Sequence, residues 1–175
     1  MRATTLTPNY PAYIGEDHPE YWDLPPVPPV ALIMEDPVHY PILGPDAQQE
    51  WASNSPPGIS FVRMGAEHRA FSVSMLHQLH CLRSLRAALA GDYRPATQGH
   101  FAHCLQYIRQ MVLCEPNLTL EPSNVLKRNY DEGVKEPGAT HVCPDWTQVY
   151  DVMDENWKEW MNVREQLRNA GSTPM

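Results

Sequence analysis

The chain has 175 residues, 42% of them hydrophobic, which is enough for one sizeable core and does not call for a second domain. A formal charge of −8, a pI near 5.4 and the absence of any lysine/arginine cluster exclude a surface that grips a nucleic-acid backbone. No apolar run approaches the roughly 20 residues that span a bilayer, and the N-terminus lacks a basic-then-apolar signal pattern, so the chain as it stands is expected to be soluble.

Proline punctuates the first third: twelve of the 18 prolines fall between Pro8 and Pro57, including the pairs Pro25-Pro26 and Pro28-Pro29. This segment cannot be continuously helical, and residues 1–60 are expected to form an extended arm packed on a core of residues 61–170 within one domain. Pro45-Asp46 ahead of Ala47-Gln48-Gln49-Glu50-Trp51 is a helix start signal, which predicts a short helix docking Trp51. Ile59 to Val62 and Arg69 to Val73 lean towards strand and predict a small hairpin around Gly65. His18, His39 and His68 lie in this arm or at its junction and read as solvated residues.

From about Ser74 to Ala90 proline and glycine disappear, and Leu76, Leu79, Leu82, Leu85 and Leu89 recur at helical spacing as a core-facing stripe. Gly91-Asp92-Tyr93-Arg94-Pro95 breaks the pattern. A second helix is predicted from about Ala96 to Cys114, with Phe101, Leu105, Ile108 and Val112 on one side and a stop at Pro116. So short a link predicts an antiparallel hairpin.

Each helix of that hairpin carries one copy of a signature. His77-Gln78-Leu79-His80-Cys81 is repeated as His100-Phe101-Ala102-His103-Cys104, so the two copies hold four of the eight histidines and two of the four cysteines. At about 100° per residue, His80 falls near 300° and Cys81 near 40° relative to His77, while the leucines occupy roughly 80° to 260°. The histidine face is therefore separate from the leucine face, and Ser84, Ala87 and Ala88 share its arc with side chains small enough to admit a neighbour or a ligand. Counted from the turn, the second pair is expected about 7 Å nearer to it than the first, an offset that loop asymmetry merges into one centre or that leaves two metals side by side. A lone buried histidine is ordinarily a hydrogen-bonded core residue, but four imidazoles on facing helices leave many polar nitrogens to satisfy, which points to a metal. Tyr107 lies one turn beyond His103 and reads as a packing residue, with electron relay the alternative.

The cysteines decide which metal. As thiolate ligands, Cys81 and Cys104 would favour zinc or copper(I). If Cys81, Cys104, Cys114 and Cys143 are instead paired as disulfides, imidazoles remain and suit redox-active copper in an oxidising compartment. The paired reading is preferred, because free thiols beside a redox metal are open to oxidation; spacing does not set the connectivity. Asn117-Leu118-Thr119 matches a glycosylation acceptor, which agrees with a secretory or vesicular lumen.

Gly138 to Trp146 is expected to be a loop that brings His141 either over the hairpin as a fifth ligand or to the surface. Asp145 is placed to cap a long third helix, about Trp146 to Asn169, along which Val149, Met153, Trp157, Trp160 and Val163 keep helical spacing as core and Asp151, Asp154 and Glu155 form a solvated face. The predicted architecture is mainly α: an antiparallel hairpin carrying the site and a long C-terminal helix, wrapped by a proline-rich arm with little β structure.

His77-Gln78-Leu79-His80-Cys81-Leu82, the second His-x-x-His-Cys-Leu with Tyr107 to Gln110 and Cys114, the Asn117 to Pro122 stretch and His141-Val142-Cys143-Pro144-Asp145-Trp146 together resemble the fungal UstYa-like oxidases of mycotoxin biosynthesis over roughly residues 20–165. The resemblance implies an oxidative tailoring enzyme that cyclises, hydroxylates, desaturates or halogenates a peptide or other natural product. It implies copper held by His77, His80, His100 and His103, with His141 a weaker addition, and dioxygen as co-substrate. Many relatives carry a membrane anchor ahead of this region, and a homo-oligomer or a pairing with a family paralogue is a further expectation. The rival readings are a zinc protein and a non-catalytic accessory subunit.

Overall fold

The computed structural model describes residues 11–33, 39–115, 117–120 and 140–171. Pro8 and Pro37 of the arm, the Pro116 stop, Glu121-Pro122 and Gly138-Ala139 lie outside them. In chain order the described elements are β1 (Pro29–Ile33), α1 (Ala47–Ser53), β2 (Phe61–Met64), β3 (Arg69–Ser72), α2 (Ser74–Leu89), α3 (Pro95–Cys114), β4 (Thr140–Pro144) and α4 (Thr147–Asn169). Mainly α architecture is the outcome.

The hairpin β2–β3 forms with Phe61 opposite Ser72 and Met64 opposite Arg69. Its limits are narrower than expected: Ile59 sits in a turn at φ 65°, and Val73 is the N-cap of α2. Gly65 turns the hairpin at φ +72°, and a Cβ there would stand 2.8 Å from Tyr13 Cβ and 2.9 Å from the Ala12 carbonyl oxygen. Gly65→Ala is thus expected to cost about 1–2 kcal/mol from the left-handed backbone alone, and more from the clash with the arm, read as a lowered urea midpoint.

α2 follows β3 directly, so the hairpin aims the helix. Val62, Leu76 and Met153 form the buried centre of the core, with Trp22, Met64, Phe71, Met75, Leu79, Val149 and Tyr150 packed around it. The long helix α4 grips β2 from outside: Asn156 accepts from the Arg63 backbone N–H at 2.8 Å and donates back to its carbonyl at 2.9 Å. Trp160 is buried beneath the Arg63 guanidinium, which lies 4.3 Å from its ring centre. Asp145 does supply the first-turn acceptor of α4, taking the Thr147 backbone N–H at 3.1 Å, although Trp146 occupies the N-cap position.

The arm meets the core at particular points. Tyr13 packs edge-on against Phe71, and the short helix α1 anchors Trp51, whose indole N–H donates to the Pro41 carbonyl at 3.0 Å. The segment expected as a loop before α4 is instead a strand: β4 pairs antiparallel with β1, Leu32 opposite His141 and Val30 opposite Cys143. Pro29 fits there because a proline at the first position of a two-stranded pair removes no interior hydrogen bond.

The leucine stripe is only half a core. Leu76 is buried and Leu79 packs against the core, whereas Leu82 and Leu89 are exposed. On α3, Phe101 is buried but Leu105 and Val112 are exposed. The reason is where the neighbours lie. α2 contacts the core on one flank through Leu76 and Leu79 and α3 on another, while the side that carries Leu82 and Leu89 is exposed. At the interface of α2 and α3 the fully buried residues are Cys81 and Cys104, not leucines.

Candidate metal centre

α2 and α3 bring the two signature copies face to face. His77 and His103 have ring centres 5.8 Å apart, and His80 and His100 have theirs 5.7 Å apart. Residue numbers rise on one helix as they fall on the other, which is the antiparallel pairing expected. The offset along the axis is not what spacing suggested, because each pair lies opposite its counterpart. Gly91, at φ +100°, follows the end of α2, the Asp92 backbone N–H donates to the Ala87 carbonyl at 3.0 Å, and Arg94 is extended before Pro95 opens α3.

Within each helix the ring separations are 6.4 Å for His77 and His80 and 6.5 Å for His100 and His103. An imidazole nitrogen binds a transition metal at about 2 Å, so the centres of two rings on one ion lie about 4.5–6.5 Å apart. The observed separations fall in the upper half of that range. As the rings stand, no group of three or more His, Cys, Asp or Glu side chains among the described residues converges on one point. The arrangement is two cross-helix pairs side by side.

His77 and His80 are half-buried, while His100 and His103 are exposed. Burial lowers the pKa of His77 first, followed by the positive potential of His103 and His100. His80 is lowered by burial, then by His100, His77 and Arg83. Both rings therefore favour the neutral form, whose free nitrogen lone pair is what a metal takes up. Folding with a depressed imidazole pKa means that the unfolded chain binds more protons below about pH 6.5, so stability falls as pH drops through that region. The metal-free protein should show a urea midpoint that declines between pH 7.5 and 5.5, and a flatter decline in His77→Gln.

Tyr107 packs against His77 with ring centres 4.2 Å apart and planes tilted by 37°, and donates its hydroxyl to Ser74 Oγ at 3.3 Å. It orients that imidazole from the side. Behind the rings, Cys81 and Cys104 are fully buried between the helices, and Cys104 Sγ lies 3.7 Å from His100 Nε2. The Cys81 thiol is pushed up to about 12, by burial first and then by its hydrogen bond to Cys104, which makes it a protonated thiol in the metal-free chain. The disulfide expectation is not met: Cys81, Cys104, Cys114 and Cys143 are all free. Cys114 is exposed at the end of α3 and Cys143 sits on β4, so the outer two belong to different elements.

His141 lies on β4, not on the hairpin helices. Its place on β4 buries it, and Asn117 Nδ2 donates to its Nδ1 at 2.9 Å. Among the described residues it makes no ring contact with the four hairpin histidines. His18, His39 and His68 are also outside the cluster, but not idle: His18 packs on Phe71, His68 on Trp160, and His39 Nδ1 approaches Glu50. Sequence reading missed the cavity beside His80, lined among others by Trp51, Arg83, Arg86 and Ala87. Its only linear trace is the pair of arginines one turn apart beyond the first signature.

Fold and site define a small, mainly helical protein built on a hairpin that presents two facing pairs of imidazoles. The family described as "Mycotoxin biosynthesis protein UstYa" matches residues 39–164, and the chain belongs to that family. It is similar to the UstYa family oxidase phomYe of Diaporthe leptostromiformis, 33% identical over 50% of this chain and 34% of that protein. It is also similar to the oxidase ustYa of Aspergillus flavus, 31% identical over 51% of this chain and 43% of that protein, and to the oxidase ustYb of the same fungus, 26% identical over 57% and 53%. The chain spans about a third to a half of the length of these curated relatives. No solved structure matches it. No helix among the described residues is long and apolar enough to cross a membrane.

Proposed function

We propose that the protein is a copper-dependent oxidase that tailors a natural product or peptide in fungal secondary metabolism. The observation that carries the reading is the pairing of His77 with His103 and His80 with His100 across the helical hairpin. Family membership and the naming of its relatives as oxidases support the oxidative half of it. The donor set fits copper: four imidazoles, two half-buried and two exposed, with no carboxylate among them.

His77, His80, His100 and His103 would hold the ion, with His141 outside the set. Bound copper would supply one-electron redox chemistry, with dioxygen as co-substrate. The chain's own residues prepare the place. Tyr107 packs its tilted ring against His77, Ser74 accepts the Tyr107 hydroxyl, and the buried Cys81–Cys104 layer keeps water from the inner side of the rings. The exposed edges of His100 and His103 leave the outer side open to a substrate, and the choice among cyclisation, hydroxylation, desaturation and halogenation rests on how that substrate lies. A lumenal location agrees with the glycosylation pattern at Asn117.

Elemental analysis with electron paramagnetic resonance of the purified protein tests the assignment. A stoichiometric copper(II) signal that reductant bleaches and oxygen restores is expected. A colourless, signal-free protein containing zinc would replace it with the zinc reading, and copper without oxygen turnover would leave an accessory role.

A further inference from the structure

The C-terminal half of α2 does not use its core-side face for packing. Where Leu76 and Leu79 meet the core in the first turns, the same flank two turns later carries Arg83, Arg86, Ala87 and Ala90. These residues line a cavity of about 460 Å³ whose other walls are Gln48 and Trp51 of α1 and Ile59, with His80 at one side. That volume lies within the range of small-molecule sites, about 300–1,000 Å³. The site is built from two rigid helices, and Trp51 is fixed by its bond to Pro41.

The charges in it are unbalanced. Arg83 and Arg86 both face a cavity in a protein of net charge −8, yet neither forms a salt bridge among the described residues. Arg86 Nε is buried with no hydrogen-bond partner. Asp92 is the one carboxylate in the lining, and Arg94 already engages it, its Nε donating at 2.8 Å. Two guanidinium groups lining one cavity with no carboxylate partner among the described residues favour a planar anion there. Beside that charge stand the indole of Trp51 and the side chain of Ile59, which suit an apolar group.

We propose that this cavity docks the substrate by a carboxylate, taken by Arg83 and Arg86, with an aromatic or aliphatic group against Trp51. Calling the ligand a substrate rests on the oxidase reading above; the carboxylate site itself does not. His80 links the two, since it belongs both to the imidazole pairs and to the cavity wall. The substrate class is then an N-acylated amino acid or a peptide bound by its C-terminus, held at one end and leaning towards the rings.

Isothermal titration calorimetry of the full chain, kept metal-free with chelator, provides the test. N-acetyl-L-phenylalanine should bind, and its primary amide should bind at least about tenfold more weakly. Arg83→Gln and Arg86→Gln should each weaken the acid by about tenfold or more and leave the amide unchanged. Equal affinity for acid and amide, unchanged acid binding in both variants, or inorganic phosphate binding as tightly as the acid would each overturn the proposal. Copper content measured on the same proteins separates the two readings. Loss of the acid with copper retained supports the docking site, whereas a parent protein that binds the acid but holds no copper leaves the carboxylate site standing and removes the oxidase.

Discussion

Alanine at His103 is expected to weaken copper binding by at least about 100-fold, because even residues behind a ligand typically contribute 10–100-fold. The ring is exposed, so its removal should leave stability within about 0.5 kcal/mol and the far-ultraviolet circular dichroism intact. His141→Ala should do the reverse. It removes a buried imidazole together with its bond to Asn117, at a cost of about 1–3 kcal/mol, while copper stays bound. Equilibrium dialysis and a urea titration on the two variants distinguish them. If His103→Ala retained copper and His141→Ala lost it, the centre would have to move to the β1–β4 pair.

Leu76→Ala is expected to destabilise the protein by about 2–5 kcal/mol, since it opens a cavity between Val62 and Met153. Leu89→Ala should change stability by no more than about 0.5 kcal/mol, because the side chain is 71% exposed. The two leucines belong to one stripe in sequence, and only their neighbours differ. Comparable losses at both positions would mean that the free flank of α2 is covered in solution.

That contrast marks where linear reading stops. The extents of α2 and α3 were legible because proline and glycine punctuate them and apolar residues recur at helical spacing. The hairpin followed from the shortness of Gly91 to Arg94, and the candidate rings from the doubled signature. Periodicity gives angles around one helix, but it does not say which angle meets a partner. So Cys81 and Cys104 fill the helix interface, while Leu82, Leu105 and Val112 face outwards. The strand β4 escaped notice for a related reason: Thr140 to Pro144 is extended because β1, over a hundred residues away, offers it hydrogen bonds.

The amino-acid order by itself determined that this protein carries two His-x-x-His-Cys turns on adjacent helices, and the family to which that pattern points. Tertiary structure alone decided that His77 faces His103 and His80 faces His100, that Asn117 donates to His141 on β4, and that a cavity lined by two guanidinium groups without a salt bridge among the described residues opens beside His80. The physical reason is that helical phase is a local property of the backbone. Register between helices, and the space left between α1 and α2, depend on how the whole chain closes around its core.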